Sequence, residues 1–229
     1  MGGQIAHLWC ISATPVGGLY LKPPARRRAG VSISMYKIAV LIDGGHLRVL
    51  ARKAGHNYIP DYIEKVAHAC IMPDETLLRA LYYDCAPFRG EVPLPVSGER
   101  KSFEGSDAWL KDLASRDLIA VRLGVLKFRG WQPKRTPLLP EIPKDADFEP
   151  RFEQKGVDMR IGLDVAIFAD SRSVDRVAFI TNDTDCVPAM KHARKAGLQV
   201  VMVTFPGRRC ASELLWHSDF ERRIAWPAP

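Results

Sequence analysis

The sequence has little cysteine and no long apolar segment. Its 229 residues include five cysteines, an odd number, and none shows the C-x-x-C spacing of a zinc ribbon. A disulfide framework is therefore not expected, and a reducing compartment such as the cytoplasm is the simplest location. No apolar run approaches the roughly 20 residues that a membrane helix needs, so we expect no membrane partner.

Signatures of several phosphate-handling folds are also missing. The first apolar run ends on Asp43-Gly44-Gly45 rather than on G-x-G-x-x-G, which disfavours the usual dinucleotide-binding fold. No Walker A lysine pattern is present. A haloacid-dehalogenase-type phosphatase needs a second Asp where Gly45 stands. A phospho-receiver domain needs a lysine at the end of the fifth strand, where the chain reads Thr204-Phe205-Pro206.

Acidic residues are absent from one end of the chain. Residues 1–34 contain Lys22 and the run Arg26-Arg27-Arg28 but no Asp or Glu, so they supply more than half of the formal net charge of +7. The small excess that remains is only a weak indication of polyanion binding. Residues 1–34 also lack a sustained hydrophobic period. We therefore expect a disordered or loosely docked extension before a single domain at 35–229.

The apolar pattern indicates strands that alternate with helices. The predicted strands are residues 36–42, 76–83, 118–128, 176–180 and 198–205. The main predicted helices are residues 45–54, 156–169, 187–197 and 210–217, with two more that begin near residues 60 and 106. This order predicts an α/β fold, with a mostly parallel, doubly wound sheet of about five strands and helices on both faces. Five prolines between 129 and 154 predict a long irregular loop.

Aspartates follow two of the predicted strands at the edge where such sheets bind ligands. Asp43 ends the first strand, and Asp183 and Asp185 follow the fourth. Asp158 lies in the first turn of a predicted helix and is a further candidate. Helix capping and solvation are the simpler explanation for any one of them. Carboxylates that converge repel one another, however, and a divalent cation removes that repulsion.

An all-oxygen ligand set favours Mg²⁺ or Mn²⁺ over softer metals. Such ions activate water and neutralise charge on a phosphoryl group. The aspartates therefore predict metal-dependent hydrolysis of phosphodiester bonds.

Three motifs together resemble the NYN domain, a PIN-like branch of nucleases. They are Val40-Leu41-Ile42-Asp43-Gly44-Gly45, Lys155-Gly156-Val157-Asp158 and Thr181-Asn182-Asp183-Thr184-Asp185. The resemblance covers most of residues 36–224 and implies a Rossmann-like three-layer sandwich with an Mg²⁺- or Mn²⁺-dependent ribonuclease site. It implies four catalytic metal ligands, Asp43, Asp158, Asp183 and Asp185. It also implies that Thr181, Asn182 and Thr184 line the metal pocket and that RNA is the substrate.

Two further residues are candidates for substrate binding. The NYN family often places Asn three residues after its first Asp, whereas this chain has His46, which either contacts a phosphate or caps the helix. Lys155 either holds a phosphate or balances the acidic charge.

Other polar residues have two explanations each. Asp84 either caps a turn or lines the rim of the site, and Asp164 is expected to be structural because it points away from Asp158 on the helix. Several basic residues either form a rim around the site or are ordinary surface charge: Lys127, Arg129, Lys134, Arg135, Arg208 and Arg209. Trp131 could stack on a base beside them.

Two alternatives concern the molecule as a whole. An NYN-like fold could bind RNA or a protein without cutting, although such a module has no need of four converging carboxylates. A homodimer is an open alternative to a monomer.

Overall fold

The computed structural model describes residues 35–135 and 142–228. Its strands are β1 (Tyr36–Asp43), β2 (Glu75–Cys85), β3 (Arg89–Pro93), β4 (Arg100–Glu104), β5 (Ile119–Pro133), β6 (Phe148–Lys155), β7 (Arg176–Ile180), β8 (Gln199–Thr204) and β9 (Phe220–Arg223). Its α-helices are α1 (Gly44–Lys53), α2 (Pro60–Ala69), α3 (Ala108–Ala114), α4 (Val157–Ser171), α5 (Val187–Lys195) and α6 (Ser212–Trp216). The prediction for residues 1–34 lies outside the described residues.

Seven strands form one sheet in the order β6-β5-β2-β1-β7-β8-β9. Every neighbouring pair is parallel except β5 and β6, which are antiparallel. The predicted α/β class and mostly parallel sheet are confirmed, but the predicted count of about five strands is wrong. The two extra strands, β6 and β9, lie at the edges and are mainly exposed. They lack the continuous apolar run by which the buried strands were recognised.

Helices cover both faces of the sheet. The central strand β1 therefore contributes side chains to a core on each face. Ile38, Val40 and Ile42 pack in one core with α1, α2 and α3. Ala39 and Leu41 pack in the other core with α4, α5 and α6. Each of these five side chains is at most 1% exposed. A strand that is covered on both faces has no polar face, so its sequence does not alternate.

The predicted irregular loop at 129–154 is largely wrong. β5 extends to Pro133 and pairs with β6, with Phe128 opposite Phe152. Pro150 is accommodated because β6 is an edge strand, where one missing backbone donor costs little. The segment between the two strands is therefore only residues 134–147, of which 136–141 lie outside the described residues.

The segment after β2 also contains structure that the sequence did not predict. β3 and β4 pair as an antiparallel hairpin in a segment for which no strand was predicted. An aromatic cluster joins this hairpin to β5 and β6, with ring centroids 5.4 to 6.3 Å apart. Its members are Phe88, Phe103, Phe128, Trp131 and Phe152. The hairpin is stabilised by contacts between segments that are distant in sequence. Its own sequence therefore shows no hydrophobic periodicity that would have predicted it.

The described residues from 35 onward belong to one compact unit. Among them, no helix combines the length and the apolar character required to cross a membrane.

Candidate metal centre and adjoining cleft

β1 and β7 are neighbours in the sheet and run parallel. Ile42 pairs with Ile180, so Asp43 and Thr181 emerge side by side at the carboxyl edge of the sheet. The buried Thr181 hydroxyl donates a hydrogen bond to Asp43 Oδ2 over 3.1 Å. Thr181 Oγ1 in turn accepts the backbone N–H of Asp183, also at 3.1 Å. Thr181 therefore connects the acid that ends β1 to the acids that follow β7.

Three aspartates converge at this edge. Asp158, Asp183 and Asp185 each place a carboxylate oxygen within 4.8 Å of the others, and all three side chains are exposed. Asp183 and Asp185 are held relative to each other because the Asp185 backbone N–H donates to Asp183 Oδ1 at 2.9 Å. This contact caps a single 3-10 turn, Thr184–Cys186.

Asp158 reaches the group through the end of β6. Lys155, the last residue of β6, lies opposite Val125 of β5, which brings the start of α4 to the carboxyl edge of the sheet. Gly156 joins the two elements with φ of +80°, in the left-handed region that glycine adopts without strain. Asp158 then occupies the first turn of α4, as predicted.

Asp43 lies beside this triad rather than within it. Its Oδ1 accepts the His46 backbone N–H at 3.0 Å and caps α1, while its Oδ2 accepts from Thr181. Its charge nevertheless reaches the triad. Partial loss of hydration, then the charges of Asp183, Asp185 and Asp43, raise the pKa of the Asp158 carboxyl. The four predicted acids thus form one electrostatic site, although only three share close contacts.

The remaining predicted site residues differ in how they are used. His46 and Asn182 line a small pocket with Arg208 and Arg209. Burial lowers the pKa of His46 more than the Asp43 charge raises it, so its imidazole is mainly neutral at pH 7. Asn182 Oδ1 accepts the backbone N–H of Ala211 at 2.7 Å, which connects the loop after β7 to the start of α6.

Lys155 and Thr184 are exposed beside the acids. Lys155 forms an ion pair with Glu153, so its charge is partly balanced by a residue outside the predicted site.

The predicted basic rim is divided between two places. Arg208 and Arg209 lie with His46, whereas Lys127, Arg129, Lys134 and Arg135 are on or just after β5. Arg129 is paired with Glu153. Trp131 donates from Nε1 to the Pro93 carbonyl at 2.7 Å and packs in the aromatic cluster. Trp131 therefore has a structural contact on the hairpin in addition to any role at the rim.

A cleft that the sequence did not predict lies near the aspartates. It has a volume of about 510 Å³ and lies between α1, α3, the ends of β2 and β6 and the middle of β5. Its lining residues are Arg48, Arg52, Tyr58, Asp84, Cys85, Pro87, Ser106, Trp109, Leu110, Leu126 and Gln154. Two arginines four residues apart on the first helix were the only local sign of it.

Asp84 anchors the polar wall of this cleft. Its carboxylate is nearly buried, with 4% of the side chain exposed, and forms an ion pair with Arg48. It also accepts the Tyr82 hydroxyl at 3.0 Å, and the Tyr82 and Tyr58 hydroxyls are 2.9 Å apart. Asp84 thus lines this cleft, while its Oδ1 also accepts the backbone N–H of Cys85 at 2.8 Å. Asp164 is structural as expected, because it accepts from Tyr83 and pairs with Arg122.

Comparisons with known proteins give no activity for this chain. No family model matches it. Over 56 residues it is 29% identical to an uncharacterised protein of Methanocaldococcus jannaschii, and the match covers 24% of this chain and 23% of that protein. A crystal structure of a protein of unknown function from Vibrio parahaemolyticus aligns with a TM-score of 0.48 and 17% identity, over 83% of this chain and 94% of that one.

Proposed function

We propose that the protein is an Mg²⁺- or Mn²⁺-dependent ribonuclease with a Rossmann-like, PIN-like sandwich of the NYN type. The observation that carries the proposal is the convergence of Asp158, Asp183 and Asp185, with Asp43 directly beside them. These acids come from three separate parts of the chain. They include every aspartate of the three motifs that resemble the NYN domain.

The donor set suits a hard divalent cation. Within the described residues, the group consists of carboxylates alone, without His or Cys, which favours Mg²⁺ or Mn²⁺ over zinc. The mutual repulsion that raises the pKa of Asp158 is a cost that a bound cation would remove. When bound there, such an ion would activate a water molecule and neutralise charge on the scissile phosphate.

The surrounding residues have positioning roles in this proposal. Thr181 fixes Asp43 against the Asp183 loop through two hydrogen bonds. Asn182 fixes the same loop to the start of α6. His46, as a neutral imidazole, can donate to a phosphate oxygen without repelling the cation. Arg208 and Arg209 in the same pocket provide positive charge for the RNA backbone.

Cleavage of a fluorescent single-stranded RNA with Mg²⁺, Mn²⁺ or chelator tests the proposal. We expect cleavage that requires the metal and is lost in Asp183→Asn, because the amide removes one anionic ligand with little change in volume. Asp170→Asn, an exposed aspartate at the other end of α4, is the matched control and should cleave as wild type does. Wild-type protein that binds RNA but never cleaves it would replace this proposal with a non-catalytic RNA-binding module.

A further inference from the structure

Two arginines and an aromatic wall face the same cleft. Arg48 and Arg52 are one turn apart on α1 and line one side of it. Tyr58 and Trp109 line another side and stack on each other, with ring centroids 5.8 Å apart and an angle of 23°. A volume of about 510 Å³ falls within the range of small-molecule sites. A ligand that combines an anion with a planar ring would use both sides.

Arg48 is held in place by Asp84 but keeps hydrogen-bond donors available for a ligand. Asp84 holds its Nη2, and Tyr82 lies 3.5 Å from the same nitrogen. A guanidinium has five N–H donors, and among the described residues neither Nε nor Nη1 of Arg48 makes a hydrogen bond. The side chain is 31% exposed on the cleft side of a nearly buried carboxylate. Its free donors can therefore reach a ligand without breaking the ion pair.

Arg52 adds a charge that the cleft itself does not balance. It is exposed, and no ion pair involves it in residues 35–135 and 142–228. The cleft contains two arginines and a single carboxylate among its lining residues, so its net charge favours an anion.

Gly45 and Gln154 lie between the cleft and Asp43. A Cβ built on Gly45 would lie 3.4 Å from Asp43 Oδ1 and 3.7 Å from Gln154 Nε2. Gln154 lines the cleft and precedes Asp158 by four residues. The cleft therefore lies next to the first of the four acids, Asp43, with Gly45 and Gln154 between them.

We propose that this cleft is a subsite for one nucleotide of a single-stranded RNA, next to the bond that the metal centre cleaves. Arg48 and Arg52 bind its phosphate, Trp109 stacks on its base, and Asp84 is the positioning residue for Arg48. The inference rests on the proposed function in that the RNA is the substrate of the acids. A paired base inside a duplex cannot reach the ring, so the subsite selects unpaired RNA.

Binding without metal tests the arginine part of the subsite. The Asp183→Asn protein is titrated against a labelled single-stranded oligoribonucleotide in chelator, and anisotropy gives the Kd. We expect Arg52→Ala to raise the Kd about tenfold, because one charge-assisted hydrogen bond is lost. Lys53→Ala is the matched control, since Lys53 is the next residue of α1, is exposed and does not line the cleft. Equal losses in the two variants, or no measurable RNA binding, would overturn the subsite.

Competition tests the aromatic part. Adenosine 5′-monophosphate should displace the oligoribonucleotide at about one tenth of the concentration of ribose 5-phosphate, since stacking of one base contributes that much affinity. Equal potency of the two competitors would overturn the nucleotide subsite and leave only a phosphate site.

The subsite and the nuclease can fail separately. If Arg52→Ala weakens RNA binding and Lys53→Ala does not, the subsite is supported even if wild type cleaves no RNA. Neither metal nor cleavage enters that binding measurement. The opposite result is also possible to distinguish. If cleavage requires metal and is lost in Asp183→Asn, but Arg52→Ala leaves the Kd for RNA unchanged, the nuclease proposal stands and the subsite is wrong.

Discussion

Gly44 occupies the turn between β1 and α1, where no side chain fits. A Cβ there would lie 2.3 Å from the Tyr82 hydroxyl oxygen and 2.8 Å from the Tyr83 carbonyl oxygen. Because the second contact is with backbone, the clash cannot be relieved by rotation of a side chain alone. The close approach brings the metal-site turn against the Tyr82–Asp84 wall of the cleft.

Gly44→Ala should therefore destabilise the protein by about 1 to 3 kcal/mol through overpacking. Gly162→Ala in α4 is the matched control, because nothing lies within 4 Å of its added Cβ. It should stabilise by about 0.5 to 1 kcal/mol, as alanine does in a helix interior. Urea unfolding of the three proteins measures both effects, and equal stability of the two variants would contradict the tight turn.

Neutralisation of Asp183 should affect the metal-free protein and the metal-bound protein in opposite ways. Asp183 lies within 4.8 Å of Asp158 and Asp185, so Asp183→Asn removes like-charge repulsion while the amide oxygen can still cap the following turn. In chelator, we expect the Tm of Asp183→Asn to be slightly above that of wild type, because repulsion between exposed charges is weak. With Mn²⁺, we expect the variant to lack the increase in Tm that the ion gives to wild type.

The same melts of Asp170→Asn provide the control, and that variant should retain the Mn²⁺ effect. The shared metal site would be wrong if wild type melted at one temperature with and without Mn²⁺ and Asp183→Asn were no more stable in chelator.

At the scale of elements, one buried carboxylate connects three strands. Glu75 begins β2, has no exposed side-chain area, and lies 2.7 Å from both Arg176 of β7 and Arg222 of β9. Burial by itself would raise its pKa, but hydrogen bonds from Arg222, the Met72 backbone N–H and Arg176 hold the pKa below its usual range. The interaction brings the edge strand β9 into contact with the centre of the fold.

Glu75→Gln should cost on the order of 3 kcal/mol at pH 7, because the partly buried Arg222 loses its anionic partner and Arg176 keeps only the exposed Asp74. A folded-state pKa below the unfolded value means that this stabilisation is present above the unfolded pKa, near 4.3, and is lost as pH falls through the folded pKa. The difference in the free energy of unfolding between wild type and Glu75→Gln should therefore become smaller at pH values below about 4.

Urea unfolding at pH 7 and at pH 3.5 measures this difference. Glu213→Gln, an exposed glutamate in α6, should be close to neutral at both pH values. A Glu75→Gln deficit that is the same at pH 7 and at pH 3.5 would show that the carboxylate charge is not the cause.

At the scale of the whole molecule, the described residues after position 34 supply two extensive cores. The buried residues of the two cores run from Ile38 to Ile224 and cover the two faces of the seven-stranded sheet. A chain of residues 35–229 should therefore fold with unchanged Tm and retain its Mn²⁺-dependent stabilisation. Its affinity for RNA should fall and depend less on salt, because Lys22 and Arg26–Arg28 are removed.

Thermal melts and RNA titrations at two salt concentrations compare the full chain with residues 35–229. Substitution of the four basic residues by alanine in the full chain separates the effect of charge from that of length. Failure of residues 35–229 to fold would contradict the expectation that the domain is independent of the extension.

Local sequence was sufficient for the elements whose environment is uniform. β1, β7 and β8 are buried on both faces, so their residues are apolar without interruption and the strands are recognised from composition alone. Because parallel strands place their carboxyl ends at one edge, Asp43 and the aspartates after β7 were also expected at that edge of the sheet. The structure brings Asp158, Asp183 and Asp185 together and leaves Asp43 beside them.

Tertiary contacts decided the rest. β6 and the β3–β4 hairpin depend on aromatic rings that meet from separate segments, and β9 depends on pairing with β8 and on the Glu75 contact. The cleft depends on Arg48 and Asp84, which are 36 residues apart and form their ion pair only when α1 lies over the end of β2. A periodic pattern reports the surroundings of one segment, whereas these features arise from side chains that only the folded chain brings within reach of one another.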